Sequence, residues 1–381
     1  MDISKKGVFL LAISRQREKF QQKVDKIQEE LPFYCIEYID SRDHLSPVTL
    51  YNYARDFQDF FEWLISERIV KGPMKEIELS ALEHLSLKEV ESYFRTIGKK
   101  EYTTAKKKNA EKKRISQATV NRKKSALRSL FSYLTNETEN EKGESYIVRN
   151  VLSKIRIHKE KETLNERAKK IVNKIFVGTN DIGFLNYIKD EHIHSLSPKQ
   201  QAYFIRDKER DFAIISLFLG TGIRLDELAN IRLKDIDFTS SEIHVIRKGN
   251  KKDSVAVVPE SIEDLKKYID VRNKKYGGTM DEDEFVFLTV YKKETSPLSH
   301  RAIQNIVYKY TKAFDKKMSP HKLRHTYATN LAEATGDLSL VMNQLGHTSS
   351  QTSLLYITTT REKAKKASEL LGIRRNSINN D

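Results

Sequence analysis

The chain has 381 residues, a length typical of two domains, and 38% of them are hydrophobic, which argues against wholesale disorder. Its formal net charge of +15 favours a polyanionic partner, either nucleic acid or an anionic membrane surface. Basic charge that only keeps a protein in solution is the alternative. Cys35 is the single cysteine, which excludes an intramolecular disulfide and a Cys-based zinc site.

The same features predict a soluble, cytoplasmic protein. The apolar segment 8–13 follows Lys5 and Lys6, as in a signal peptide, but it is too short for one and runs directly into charged residues. No stretch approaches the length of a membrane span.

The first part of the chain is predicted to be helical. Apolar residues recur at helical spacing over 14–31, 47–64 and 86–97. Ser46 followed by Pro47 is typical of a helix N-terminus, and the segment 71–73 (Lys-Gly-Pro) is predicted to close that helix.

The strongest charge feature lies over 99–128, where twelve Lys or Arg residues stand against two Glu residues. Its first part is predicted to be a loop or a frayed segment, and 119–134 a helix. A solvated charged face is the usual meaning, but charge of one sign favours phosphate contacts. The candidate DNA-contacting residues are Lys106, Lys107, Lys108, Lys112, Lys113, Arg114, Asn121, Arg122, Lys124 and Arg128.

The chain is predicted to contain an N-terminal helical domain over 1–157, a charged linker over 158–170 and a second domain over 171–381. The second domain is predicted to be mainly helical with a small antiparallel sheet. Its predicted helices lie near 206–219, 224–231, 261–275 and 299–314, and its predicted strands at 242–246 and 254–258. A Gly-Asn pair between the strands is typical of a hairpin turn.

Residues suited to phosphate chemistry occur over 319–356. His321 and Arg324 share a face near a predicted helix N-terminus, where backbone N–H groups favour an anion. His347 follows a predicted helix end, and Tyr356 lies nine positions further along. Taken singly, the first two are more often a surface pair, and a tyrosine on an apolar stretch is more often a core residue. His325 is equally compatible with a surface position.

Three further residues lie upstream. Arg224 follows a glycine-bounded loop, and Glu227 shares its helix face and is placed to hold it. Lys248 lies in the predicted hairpin turn. Each of these residues is predicted to lie at a loop or a helix end.

Together these motifs resemble the signature of the tyrosine recombinases, the phage integrase family. The matching segments are 222–228, 248–251, 321–326, 345–347 and Tyr356. The segments 31–34, 119–122, 159–167 and 207–211 further resemble the Xer subfamily, and most closely the type that resolves chromosome dimers without a second recombinase.

The resemblance implies a helical SAM-like core-binding domain and an α+β catalytic domain. It implies that Tyr356 attacks the scissile phosphate to form a 3′-phosphotyrosyl bond, and that Arg224 and Arg324 bind the non-bridging oxygens. Lys248 is then the general acid for the leaving oxygen, His321 assists proton transfer at the tyrosine, and His347 hydrogen-bonds the phosphate. Neither ATP, a metal ion nor another cofactor is implied.

The implied partners are a double-stranded DNA recombination site, three further copies of the chain in a homotetramer on two synapsed sites, and an FtsK-like septal DNA translocase. The implied activity is strand exchange through a Holliday junction at a dif-like site during cell division. Three rivals remain: an integrase of a phage or mobile element, a type IB topoisomerase, and a DNA-binding module with a decayed site. The segment 362–381 is expected either to dock on a neighbouring protomer or to be disordered beyond Gly372.

Overall fold

The computed structural model describes residues 18–103, 112–158, 163–247, 251–346, 353–354, 356 and 368–369. They fall into two compact units, one within Met1–Glu160 and the other within Lys161–Asp381, and the division lies inside the predicted linker. Most of the described residues are helical and the strands form small antiparallel sheets, which confirms the predicted fold class. None of the described helices is long and apolar enough to cross a membrane.

The first unit consists mainly of helices. They are α1 over 18–28, α2 at Phe33–Asp40, α3 at Pro47–Ser66, α4 at Leu79–Glu83, α5 at Leu87–Lys99 and α6 at Gln117–Asn136. Ser46 caps α3 through its side chain, as its place before a proline predicts. The predicted end of α3 near 71–73 is wrong: the helix ends at Ser66, because Arg68 turns the chain with a φ of 58°.

The basic segment before α6 is more ordered than the sequence predicts. Strand β1 (Glu101–Thr103) pairs antiparallel with strand β2 (Lys112–Arg114), so the prediction of a loop or frayed segment over 106–114 is wrong for 112–114. Backbone hydrogen bonding along the pair overrides the low apolar content, and Glu101 lies opposite Arg114. Lys106, Lys107 and Lys108 lie outside the described residues.

The core of the first unit is aromatic. Phe57, Phe60 and Phe61 of α3 are fully buried, and the Phe60 ring meets Tyr93 of α5 edge to face at 4.9 Å. Helix α6 packs on α3 and brings a buried lysine, Lys123, against the carboxylates of α3. The apolar periodicity of these helices therefore buries a charged group as well as the rings.

The second unit contains the longest described helix. Its helices are α7 at Leu164–Val172, α8 at Asn180–Asn186, α9 at Pro198–Thr221, α10 at Leu225–Ala229, α11 at Pro259–Tyr276, α12 at His300–Phe314, α13 at Pro320–Thr335 and α14 at Leu338–Leu345. Helix α9 begins well before its predicted start at 206, because Ser197 and Gln200 form a capping box and Pro198 occupies the first turn.

The strands form an antiparallel three-stranded sheet and a separate hairpin. Strand β3 (Ile236–Asp237) pairs with β4 (Glu242–Arg247), and β4 pairs with β5 (Lys251–Ala256). The second pair is β6 (Leu288–Tyr291) with β7 (Glu294–Pro297). The predicted β4–β5 hairpin is confirmed by the strand register, and its turn residues lie outside the described residues.

Helix α9 forms the centre of the second unit, where it packs against α11 and α13. It ends at Gly222, whose φ of 64° is left-handed. A Cβ there would lie 2.5 Å from a ring carbon of Tyr327, so both the conformation and the space require glycine. The tight turn brings the start of α10 close to α13.

Candidate active site

Glu227 is buried on α10 and organises the site. Its carboxylate accepts the backbone N–H of Arg224 at 2.8 Å and the Nη1 N–H of the same residue at 2.7 Å. The carboxylate thus binds directly the guanidinium of a residue that lies three positions earlier in the chain. Because the Arg224 side chain keeps 37% of its surface exposed, it remains accessible to a ligand.

Arg247 ends β4 and is buried, and it is not among the predicted site residues. Its Nη1 donates to both carboxylate oxygens of Glu227 at 3.2 Å, and its Nε donates to Asp253 on β5 at 2.9 Å. Its Nη2 donates to the backbone carbonyl of Gln344 at 2.9 Å. Arg247 therefore joins α10, the hairpin and the end of α14, and it immediately precedes Lys248 in the chain.

Gly346 makes this junction sterically feasible. Its φ of 57° ends α14 in the left-handed region, and a Cβ there would lie 2.7 Å from Nε of Arg247. A side chain at 346 would therefore displace the guanidinium or the helix end.

Arg324 lies on α13 and is only 2% exposed. Its Nη1 donates to the carbonyl of Gly222 at 2.5 Å, and its Nη2 donates to the carbonyl of Leu345. Burial and the nearby charge of Arg224 lower the pKa of Arg324 to about 10. At neutral pH the group still carries its proton, so the site retains both positive charges.

Three guanidinium groups meet at the C-terminal end of α14. Those of Arg224, Arg247 and Arg324 each donate to a backbone carbonyl within 344–346. The unpaired carbonyls of a helix end carry partial negative charge and stabilise cations. Among the described ion pairs, these three guanidinium groups contact two carboxylates, those of Glu227 and Asp253, so the five groups together are net positive.

Tyr356 lies beside this cluster and is 1% exposed, and it packs against a small apolar group on α13 and α14. Its hydroxyl lies 2.5 Å from Nδ1 of His325. Burial raises the pKa of Tyr356 to about 12, against the opposing charge of Arg324. The tyrosine is thus both a core aromatic and a phenol that contacts an imidazole, and its attack on a phosphate requires removal of the proton.

His321 lies one turn before His325 on α13. The two rings meet edge to face with their centroids 4.3 Å apart. Partial burial and the charges of Arg324 and Arg224 lower the pKa of His321. His321 is therefore neutral at neutral pH and lies among the cationic groups. Nδ1 of His325 lies within hydrogen-bonding distance of the Tyr356 hydroxyl. The family resemblance instead implies that His321 assists proton transfer at the tyrosine.

Four members of the predicted site thus converge: Arg224, His321, Arg324 and Tyr356, with Glu227 in support. Lys248 and His347 lie outside the described residues. Sequence reasoning missed Arg247, although alternation along β4 puts it on the same face as the buried Ile243 and Val245. His325 is four residues after His321, a spacing that places both rings on one helix face.

The predicted DNA-contacting residues of α6 make internal contacts. Asn121, Lys124 and Arg128 donate to backbone carbonyls within 155–158 at 2.7, 2.9 and 3.2 Å. Arg122 is paired with the buried carboxylate of Asp56. On β2, Lys112 and Arg114 are exposed, and the side chain of Lys113 lies outside the description. The assignment of these α6 and β2 residues to DNA contact stays a prediction.

A basic cleft of about 470 Å³ opens beside α6. Its lining includes Arg95, Lys124, Lys154 and Arg156, with Glu91 as an acidic neighbour. Burial lowers the pKa of Lys124, which is the member of the predicted set that lines the cleft. The excess of cations makes this cleft a candidate anion-binding surface in the first unit.

The two units match two known sequence families. Residues 186–363 match the phage integrase family, and residues 35–138 match the phage integrase N-terminal SAM-like domain. The chain is 39% identical to the tyrosine recombinase XerS of Streptococcus pneumoniae (strain P1031) over 359 residues, which covers 93% of this chain and all of that protein. It is 40% identical, with the same coverage, to the XerS protein of Streptococcus agalactiae serotype III (strain NEM316).

Solved structures show the same fold. The XerH site-specific recombinase bound to a palindromic difH substrate, in a post-cleavage complex, superposes with a TM-score of 0.63 at 21% identity, covering 86% of this chain and 81% of that chain. The Tn1549 transposon integrase in complex with transposon right end DNA gives a TM-score of 0.58 at 16% identity, covering 89% and 98%. At these identities the likeness concerns the fold.

Proposed function

Because this chain belongs to the phage integrase family of tyrosine recombinases, we propose that it cuts and rejoins double-stranded DNA at a specific site through Tyr356. The observation that carries the proposal is the position of the Tyr356 hydroxyl beside a net positive cluster of arginines. A scissile phosphodiester carries a negative charge that these arginines attract, and guanidinium groups match its non-bridging oxygens.

In this mechanism Arg224 and Arg324 bind the phosphate and stabilise the charge that develops in the transition state. The Tyr356 oxygen attacks phosphorus, and the bond from phosphorus to the 5′-oxygen breaks. A 3′-phosphotyrosyl bond forms, and the 5′-oxygen takes a proton from Lys248. Attack by a 5′-hydroxyl of another strand reverses these steps. Since the covalent bond conserves the phosphoester, rejoining requires no nucleotide cofactor.

The biological role is proposed from the relatives. Full-length identity of 39% and 40% to XerS proteins supports resolution of chromosome dimers at a dif-like site in the cytoplasm. Four copies would join two sites, and a septal DNA translocase would trigger exchange. An integrase of a mobile element would use the same chemistry, so the sequence of the bound site decides between the two roles.

The test begins with a DNA site selected by the full chain from a random duplex library. Sequences that match one chromosomal locus support the housekeeping role, and sequences that match element termini support the alternative. A nicked duplex of the selected site, which loses a short fragment after cleavage, traps the covalent adduct. We expect an adduct with the wild type and none with Tyr356→Phe. No adduct from the wild type, or an undiminished one from the variant, contradicts the proposed chemistry.

A further inference from the structure

A hydrogen bond that the predicted mechanism does not use joins the nucleophile to α13. The Tyr356 hydroxyl lies 2.5 Å from Nδ1 of His325, and the centroids of the two rings are 5.4 Å apart. Tyr356 is 1% exposed, so bulk water has little access to the phenol proton. Among the contacts described at the hydroxyl, Nδ1 of His325 is the titratable group within hydrogen-bonding distance.

We infer that His325 is a catalytic residue that accepts the phenol proton of Tyr356 during attack on the phosphate. The inference rests on the proposed function, because it takes Tyr356 as the nucleophile. With its own proton on Nε2, neutral His325 presents an Nδ1 lone pair to the phenol O–H. The geometry thus meets the first requirement of a general base, which is hydrogen-bond reach to the proton it removes.

The O–H bond of Tyr356 breaks as the N–H bond to Nδ1 of His325 forms, and the phenol oxygen bonds to phosphorus. The electron pair of the breaking P–O bond stays on the 5′-oxygen, which takes its proton from the general acid. On rejoining, the 5′-hydroxyl attacks and loses its proton to the conjugate base of that acid, and Nδ1 returns the proton to the tyrosine.

The neighbours of His325 support its assignment as the acceptor of the tyrosine proton. Its ring contacts His321 on the same helix, and Tyr356 faces it from the C-terminal helical residues. Arg324, the preceding residue, adds a positive charge that favours the phenolate. Partial burial, Arg324 and Arg224 lower the pKa of His321. His321 is exposed near these two arginines, where a neutral imidazole can hydrogen-bond a phosphate oxygen.

The second unit offers a matched control. The Tyr187 hydroxyl meets Nδ1 of His192 at 3.2 Å, and His192 is buried. Neither residue belongs to the predicted site. His192→Asn therefore makes the same chemical change in another His–Tyr pair of the same unit.

The experiment compares His325→Asn, His321→Asn and His192→Asn in the full chain with the wild type on the nicked duplex. An asparagine amide occupies the place of Nδ1 and can accept the phenol O–H, but it does not take up the proton. We expect His325→Asn to cleave about 100-fold more slowly, a loss typical of removing a general base, with unchanged DNA affinity. His192→Asn should cleave at the wild-type rate.

The dependence of the cleavage rate on pH distinguishes proton transfer from positioning. In the wild type, the rate should fall as the pH drops and His325 takes up a proton, because a protonated imidazole cannot accept the phenol proton. The cleavage rate of His325→Asn should no longer decrease at low pH, whereas that of His321→Asn should still decrease. Loss of the fall in His321→Asn alone, or a slow His325→Asn that keeps it, overturns the inference. The wild-type adduct at Tyr356 is scored in the same assay, so failure of the proposed function is seen separately.

Discussion

Each unit of the molecule buries a carboxylate between two cations, but the two clusters differ in charge balance. In the first unit, the Asp56 cluster comprises Asp56, Asp59, Arg122 and Lys123, whose formal charges cancel, while Arg55 contacts Asp59 only at 3.9 Å. In the second unit, the Glu227 cluster comprises Glu227, Asp253, Arg224, Arg247 and Arg324, and one positive charge remains.

The difference in balance separates a structural cluster from a binding site. Lys123 is 6% exposed and donates to two carboxylates, so its charge is matched within the protein. Burial raises the pKa of Asp56 against the opposing pull of Lys123 and Arg122. Exposure does not separate the clusters, because the Arg122 side chain is 38% exposed and that of Arg224 37%; what distinguishes the Glu227 cluster is that it lies beside Tyr356. An incoming phosphate completes its charge balance, which is why we assign chemistry to the second cluster alone.

The largest expected effect on cleavage comes from Glu227→Gln. The amide keeps the shape but removes the counter-charge of Arg224 and leaves Arg247 with Asp253 alone. Cleavage of the nicked duplex should fall by about 100-fold or more, because the guanidinium that stabilises the transition state loses its position. The free energy of unfolding, measured in urea, should fall by about 3 kcal/mol.

Glu284→Gln is the matched control for that variant. Glu284 pairs at 2.8 Å with Arg272, which is fully buried in the same unit. We expect a comparable loss of stability with unchanged cleavage by the folded protein. Equal loss of cleavage in both variants would mean that Glu227 acts only through the stability of the fold. That result would contradict a role of the Glu227 cluster in catalysis.

A smaller effect is expected from Arg247→Met. The substitution removes the junction between α10, the β4–β5 hairpin and the end of α14, while Arg224 keeps its direct bond to Glu227. Cleavage should fall by about tenfold, since misplacement of catalytic groups slows a reaction without removing them. Single-turnover rates at saturating enzyme measure this loss.

Arg210→Met serves as the comparison for Arg247→Met. Arg210 is also buried and pairs with Asp211 at 2.8 Å, outside the site. Its loss should destabilise the fold to a similar extent, by about 3 kcal/mol, and leave the single-turnover rate unchanged. If Arg247→Met cleaves as fast as Arg210→Met, the junction does not position the site.

The smallest effect on cleavage is expected from Asp56→Asn. Loss of the charge leaves Lys123 with Asp59 alone, so unfolding in urea should become easier by about 3 kcal/mol. Cleavage per folded molecule should equal that of the wild type, because the Asp56 cluster is closed within the first unit. A folded Asp56→Asn protein that binds DNA normally yet cleaves slowly would show that the balanced cluster also contributes to chemistry.

Much of this fold is predictable because its signals are local. Capping residues and apolar spacing locate α3, α5 and α6, and alternation locates β4 and β5. Where the observed element boundaries differ from the predicted ones, the causes are also local. Helix α9 starts at a capping box that a search for apolar runs overlooks, and β1–β2 forms through backbone pairing despite its charged side chains.

The site was less accessible to sequence reasoning because its contacts are long-range. No spacing rule joins Arg247 to Gln344, or His325 to Tyr356, since those contacts depend on how α14 and the C-terminal residues pack. The likeness to a known family supplied the predicted catalytic set. That likeness assigns proton transfer to His321, whereas the hydrogen bond between His325 and Tyr356 exists only in the folded chain.

The central claim is that Tyr356 is the residue that becomes joined to DNA. Mass spectrometry of the proteolysed, nuclease-trimmed adduct tests it most directly. We expect a nucleotide attached through its 3′-phosphate to the peptide that contains Tyr356. A nucleotide on any other residue, or one attached through a 5′-phosphate, would contradict the account.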